Sequence, residues 1–118
     1  EDEILTTIKT CFNETGYLLD THTAIGYGVL KQYQQETGDH TKTVLLSTAS
    51  PYKFPESVYQ AIYGEELDVY TAIDKLSEKT GVPVPQALAG IKEREVLHKE
   101  AIDKTEIISF IKSEIEAM

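Results

Sequence analysis

At 118 residues, with 41% hydrophobic and 26% charged residues, the chain is sized for one small domain that buries roughly 65% of its unfolded surface. A formal net charge of −9 opposes non-specific binding to nucleic acid or anionic lipid, since both need a positive surface. No apolar run approaches the ~20 residues that span a bilayer, and the lone Cys11 excludes an internal disulfide.

In chain order, "EDEILTTIKTCFNETG" places Ile4, Leu5, Ile8 and Phe12 on one helical face, with Cys11 as a buried inert thiol and Gly16 as the stop. "YLLD" follows as a short apolar piece, and Asp20 is placed to cap the next helix. That helix, "THTAIGYGVLKQYQQETG", has Ile25, Val29 and Tyr33 on one face and ends at Gly38. Gly26 and Gly28 each cost about 1 kcal/mol against alanine. Their presence in one turn implies that something packs very close to that backbone.

"TVLLST", Thr43 to Thr48, reads as a strand buried on both faces, as in a parallel sheet. A third helix from Phe54 turns Phe54, Val58, Ala61 and Ile62 inward, and Gly64 follows it. Asp68 caps a fourth, with Val69, Ala72, Ile73 and Leu76 in a stripe that ends at Gly81. "VPVPQALAG" predicts a short proline-started helix, and "EVLH" a brief strand. Asp103 and Glu106 form a capping-box-like pair before a last helix that buries Ile107, Ile108, Ile111 and Ile115. The expected class is α/β: one helix-dominated domain over residues 1–118, with one buried parallel strand and few short others. One strand makes no sheet, so "YLL" and "EVLH" pair with it or its neighbours lie elsewhere in a larger protein.

Two constellations carry candidate chemistry. Asp20, His22 and Thr23 sit at a helix start, where free amides favour negative groups; the competing reading is a plain cap with His22 on the surface. In open parallel sheets ligands bind beyond the carboxyl ends of the strands. "TVLLSTASPYKFP" would deliver Ser47, Thr48 and Ser50 to such an end, with Lys53 free to meet an anion or simply solvated. His22, His40 and His98 show no metal-ligand spacing. The serines lack a G-x-S-x-G elbow, and "GYG" lacks the third glycine of a phosphate loop.

"ETGYLLDTHTAIGYG" and "LLSTASPYKFP" resemble, in order and spacing, the G-Y-x-x-D-P-H-T-A-V-G and S-T-A-H-P-A-K-F motifs of the carboxy-terminal part of threonine synthase, a pyridoxal-phosphate enzyme of fold type II. "TGVPVPQALAGIKEREVLH" is similar to the family's tail, so the resemblance covers nearly the whole chain. It implies conversion of O-phospho-L-homoserine to L-threonine and phosphate. The Schiff-base lysine and the Gly-rich phosphate loop would lie earlier in the enzyme, and neither motif is in this chain. A start at Glu1, where methionine is absent, is also expected of a fragment. By the resemblance this chain is an inactive carboxy-terminal piece whose partner is the remainder of the same enzyme. The acidic opening, unlike a basic signal sequence, is expected of a cytoplasmic protein.

The resemblance further implies that a hydroxyl from a late strand end meets the pyridine nitrogen: Thr48 first, Ser47 second. His22 and Thr23 match the family's H-T pair and would line or support the substrate pocket, with Ser50 and Lys53 beside them. Thr21 stands where proline is usual and Ser50 where histidine is usual. The second departure puts strict threonine synthase activity in question and leaves a related phospholyase or other lyase of the same fold as the alternative. A non-catalytic helical interaction module that kept these motifs is a third reading.

Overall fold

The computed structural model describes residues 2–118. Five α-helices follow in order: α1 (Asp2–Thr15), α2 (Thr21–Thr37), α3 (Pro55–Tyr63), α4 (Val69–Thr80) and α5 (Ile107–Glu116), with 3-10 turns at Pro51–Lys53, Ile91–Glu93 and Lys104–Glu106. Their limits follow from local chemistry. Asp20 and Asp68 each accept two backbone amides at the starts of α2 and α4, which would otherwise lack partners. The Asp103–Glu106 capping box forms as the sequence predicts. Gly38, Gly64 and Gly81 end α2, α3 and α4 in left-handed backbone, which glycine adopts without Cβ strain.

The core lies around α3, which packs on α1 and on α4. Ile8 from α1, Val58 and Tyr59 from α3, and Ala72 and Leu76 from α4 are fully buried or nearly so, with Leu18 and Leu19 under the α1–α2 connection. Cys11 is buried among them as a free thiol. Tyr52 is buried and its hydroxyl donates to the Val82 carbonyl at 2.5 Å, tying the turn before α3 to the segment after α4. The α2 glycines have the close neighbours their cost implies. A Cβ at Gly26 would lie 3.0 Å from Leu45 Cδ1, and one at Gly28 would lie 3.3 Å from Thr7 Oγ1 of α1.

The expected α/β class is overturned: no strand forms among the described residues. Thr43 to Thr48 run without regular structure. A strand needs a partner for its backbone groups, and neither "YLL" nor "EVLH" supplies one; both lack regular structure. Val44 is 83% exposed and Leu46 78%, while Leu45 alone gains partial cover, against Gly26. The short helix expected at "VPVPQALAG" is a run of turns leading into Ile91–Glu93. Phe54 is not inward but caps α3 at 40% exposure, and Val69 is half-exposed.

α5 also departs from expectation. Its isoleucines, Ile107, Ile108, Ile111 and Ile115, are exposed rather than buried, because the helix packs on its own leading turn and on no other helix to any comparable extent. The radius of gyration, 18.9 Å, exceeds the roughly 13–14 Å of a compact domain this long. The packed part is α1 to α4, with a protruding carboxy-terminal segment. Among the described residues no helix is long and apolar enough to cross a membrane.

Candidate functional site around Asp20 and Ser47

The two motifs meet at the N-terminus of α2. Asp20 is buried, at 2% exposure. One carboxylate oxygen, Oδ1, accepts from the amides of His22 at 2.9 Å and Thr23 at 3.1 Å. The other, Oδ2, accepts from the Thr23 hydroxyl. Ser47 Oγ lies 3.4 Å from the same oxygen, 3.3 Å from Thr23 Oγ1 and 3.2 Å from the Ala49 carbonyl, and its single proton serves either the carboxylate or that carbonyl at one time. The cap of a helix and the end of the apolar run, more than twenty residues apart in sequence, are thus joined through oxygens.

Burial pushes the Asp20 carboxyl upward. The Thr23 hydroxyl, the amides of Thr23 and His22, and the Ser47 hydroxyl together outweigh it and leave the group below its ordinary value. Asp39, Asp68 and Asp103 are lowered too, chiefly by hydroxyls of Thr41, Thr71 and Thr105. Each folded-state pKa lies under its unfolded value, so the stability these groups contribute is present above the ordinary aspartate range. It is lost as pH falls through the folded values. Urea unfolding should therefore give a plateau at neutral pH and a decline below about pH 4; stability that rises on acidification would contradict these hydrogen bonds.

The remaining candidates fall into place around this junction. His22 Nδ1 is 3.6 Å from Asp20 Oδ1, and its ring stacks on Phe54 with centroids 5.7 Å apart. Lys53 Nζ lies over the other partner of that pair, 5.7 Å from the Phe54 centroid. Ser50 does not face outward: its Oγ accepts from the Tyr52 amide at 3.2 Å and caps the Pro51–Lys53 turn. Thr48 is exposed, and among the described residues its hydroxyl makes no recorded hydrogen bond. A cleft of about 480 Å³ opens next to the cluster, lined in part by Thr21, Phe54, Ser57 and Gln60. No group of three or more His, Cys, Asp or Glu side chains suited to a metal occurs among the described residues.

Thr23 and Ser47 are therefore brought together, with His22 adjacent and Lys53 linked through Phe54, while Thr48 stands apart. Sequence reasoning assigned Asp20 a capping role and missed its contact with Ser47. The available signal was chemical: a carboxylate between apolar "YLL" and "TAIG" has to collect donors if it is buried, and "STAS" is the densest hydroxyl run in the chain.

Comparison with known proteins gives the same two motifs a context. The family described as "Threonine synthase, C-terminal" matches residues 23–111, a span that holds Thr23, Ser47, Thr48, Ser50 and Lys53 and begins just after Asp20 and His22. "Threonine synthase-like 1" of Mus musculus is 31% identical over 99 residues, 80% of this chain and 13% of that protein. "Threonine synthase-like 1" of Homo sapiens is 34% identical over 68 residues, 58% of this chain and 9% of that protein. "Threonine synthase" of Pseudomonas aeruginosa is 35% identical over 65 residues, 55% of this chain and 13% of that protein. The chain thus spans a small fraction of the length of these relatives. Matched over most of its own length, and across the junction that links its two motifs, the chain belongs to the threonine synthase family, in its C-terminal part.

Proposed function

We propose that this chain is the carboxy-terminal portion of a pyridoxal-phosphate-dependent threonine synthase, which converts O-phospho-L-homoserine to L-threonine and phosphate. Its partner is the remainder of the same enzyme, in the cytoplasm, and alone it is inactive. The observation that carries the reading is the family match over residues 23–111. The residues present fit one edge of the cofactor. Thr48 is exposed with an unengaged hydroxyl, suited to a ring nitrogen, whereas Ser47 already spends its hydroxyl on Ala49 and the Asp20 cluster. The lysine and the phosphate cradle have no counterpart motif in this sequence.

When bound, the cofactor supplies an electron sink for the substrate carbon skeleton. Thr48 would meet its pyridine nitrogen with a neutral hydroxyl, with Ser47 the second choice. Such a partner does not hold a proton there as a carboxylate does, and so leaves the ring a weaker sink. His22 and Thr23 would line or support the substrate pocket. Lys53 would offer its ammonium to the substrate's anionic group, and Ser50 would shape the turn that carries Lys53.

A phospholyase of the same fold is the second reading. It is favoured by Ser50, which stands in place of the family's histidine and spends its oxygen on the Tyr52 amide. Assaying the complete protein and this chain separately with O-phospho-L-homoserine tests both. The complete protein should form threonine and phosphate in equal amounts, and this chain neither. Phosphate without threonine selects the phospholyase, and no phosphate from the complete protein leaves a non-catalytic module.

A further inference from the structure

We infer that Asp20 is a positioning residue for Thr48: besides capping α2, its carboxylate tethers the Ser47–Thr48 segment to the helix. The inference rests on the proposed role of Thr48 and extends it to the group that holds Thr48 in place. Residues 41–48 are exposed and lack regular structure, so little else fixes that hydroxyl in space. Leu45 against Gly26 is one hold. The segment's ends are held by Asp39, which accepts from the Thr41 amide and hydroxyl, and by Ser50, which caps the turn at buried Tyr52. The hold next to Thr48 is Ser47, whose Oγ lies 3.4 Å from Asp20 Oδ2 and 3.3 Å from Thr23 Oγ1.

These distances are long for hydroxyl hydrogen bonds. The tether is therefore loose, and its strength depends on the charge of the acceptor. Asp20 has the attributes for this: it is buried, and Oδ1 alone serves the helix amides. Oδ2 takes no part in capping the backbone and is left for hydroxyls. The titratable side chain beside it is His22, with Nδ1 3.6 Å from Oδ1. Division of labour between the two oxygens makes capping and tethering separable. Ser47→Ala removes the far end of the tether and leaves the cap intact. Asp20→Asn keeps a good cap but removes the charge and the titration.

The test is backbone dynamics of the ¹⁵N-labelled 118-residue chain, with amides of α3 and α4 as the control for folding. In the wild type near neutral pH, heteronuclear NOE values at Thr48 and Ala49 should exceed those of Ser47→Ala at the same residues. They should fall as pH drops through the lowered Asp20 value while the helices stay ordered. Ser47→Ala should lower the values at Thr48 and Ala49 near neutral pH and leave them independent of pH, and Asp20→Asn should abolish the pH dependence. No cofactor is present in this experiment, so its outcome is independent of whether Thr48 meets the ring. Wild-type NOE values at Thr48 in Ser47→Ala, or the same pH profile in Asp20→Asn as in the wild type, would overturn the tether and return Asp20 to a plain cap.

Discussion

Leu76→Ala is expected to cost about 2–5 kcal/mol of folding stability, the range for removing a buried leucine and leaving part of its space empty. Leu76 is completely buried in α4, which packs on α3, and belongs to the same core as Val58, Tyr59 and Ile8. A domain of this size has roughly 5–15 kcal/mol in total, so the change removes a large share. At about 4 °C per kcal/mol, the melting temperature should fall by roughly 8–20 °C. Ile111→Ala in α5 removes almost as much apolar volume, but Ile111 is half-exposed and meets no core neighbour. Its cost should stay within about 0.5 kcal/mol, as for ordinary surface changes. Equal losses for the two variants would mean that α5 packs into the core.

That contrast shows what could be read from the sequence. Caps are local: an aspartate two or three residues before a backbone amide needs nothing else, so Asp20, Asp68 and Asp103 were legible at once. The glycine pair was also legible, because its cost implies a close neighbour, and Leu45 and Thr7 are those neighbours. Apolar periodicity is different. It states that a face is to be covered without saying what covers it. α3 covers both α1 and α4, and α2 packs on α1 as well. For Val44, Leu46 and the α5 isoleucines the described residues hold no cover, so reading them as buried, and the first two as a strand, failed. Of the candidate site, the family resemblance named His22, Thr23, Ser47, Thr48, Ser50 and Lys53, and spacing alone favoured a plain cap at Asp20. It gave no hint that Ser50 turns inward to cap Tyr52, since a serine before proline reads equally well as cap or as ligand group.

Thr48→Val in the complete enzyme is the second large expected effect. Valine keeps the shape of threonine and removes its hydrogen bond, so the cofactor nitrogen would lose its partner in a buried pocket, at roughly 1–3 kcal/mol. Because the Thr48 hydroxyl makes no hydrogen bond among the described residues and the residue is exposed, folding should be unaffected, and on the proposed role the whole loss should fall on the cofactor. Thr48→Asp should act in the other direction on the ring. A carboxylate favours a proton on that nitrogen, and the visible absorbance should move relative to the wild type. Ser47→Val should do less, since it acts only by loosening the segment that carries Thr48.

Cofactor affinity and single-turnover rate, compared across Thr48→Val and Ser47→Val in the complete enzyme, address the central claim most directly. The expected result is a loss of about 5- to 150-fold for Thr48→Val, the equivalent of one unpaired buried group, with a smaller loss for Ser47→Val and unchanged folding for both. A silent Thr48→Val, whether or not Ser47→Val is damaging, would contradict the assignment of Thr48 to the cofactor.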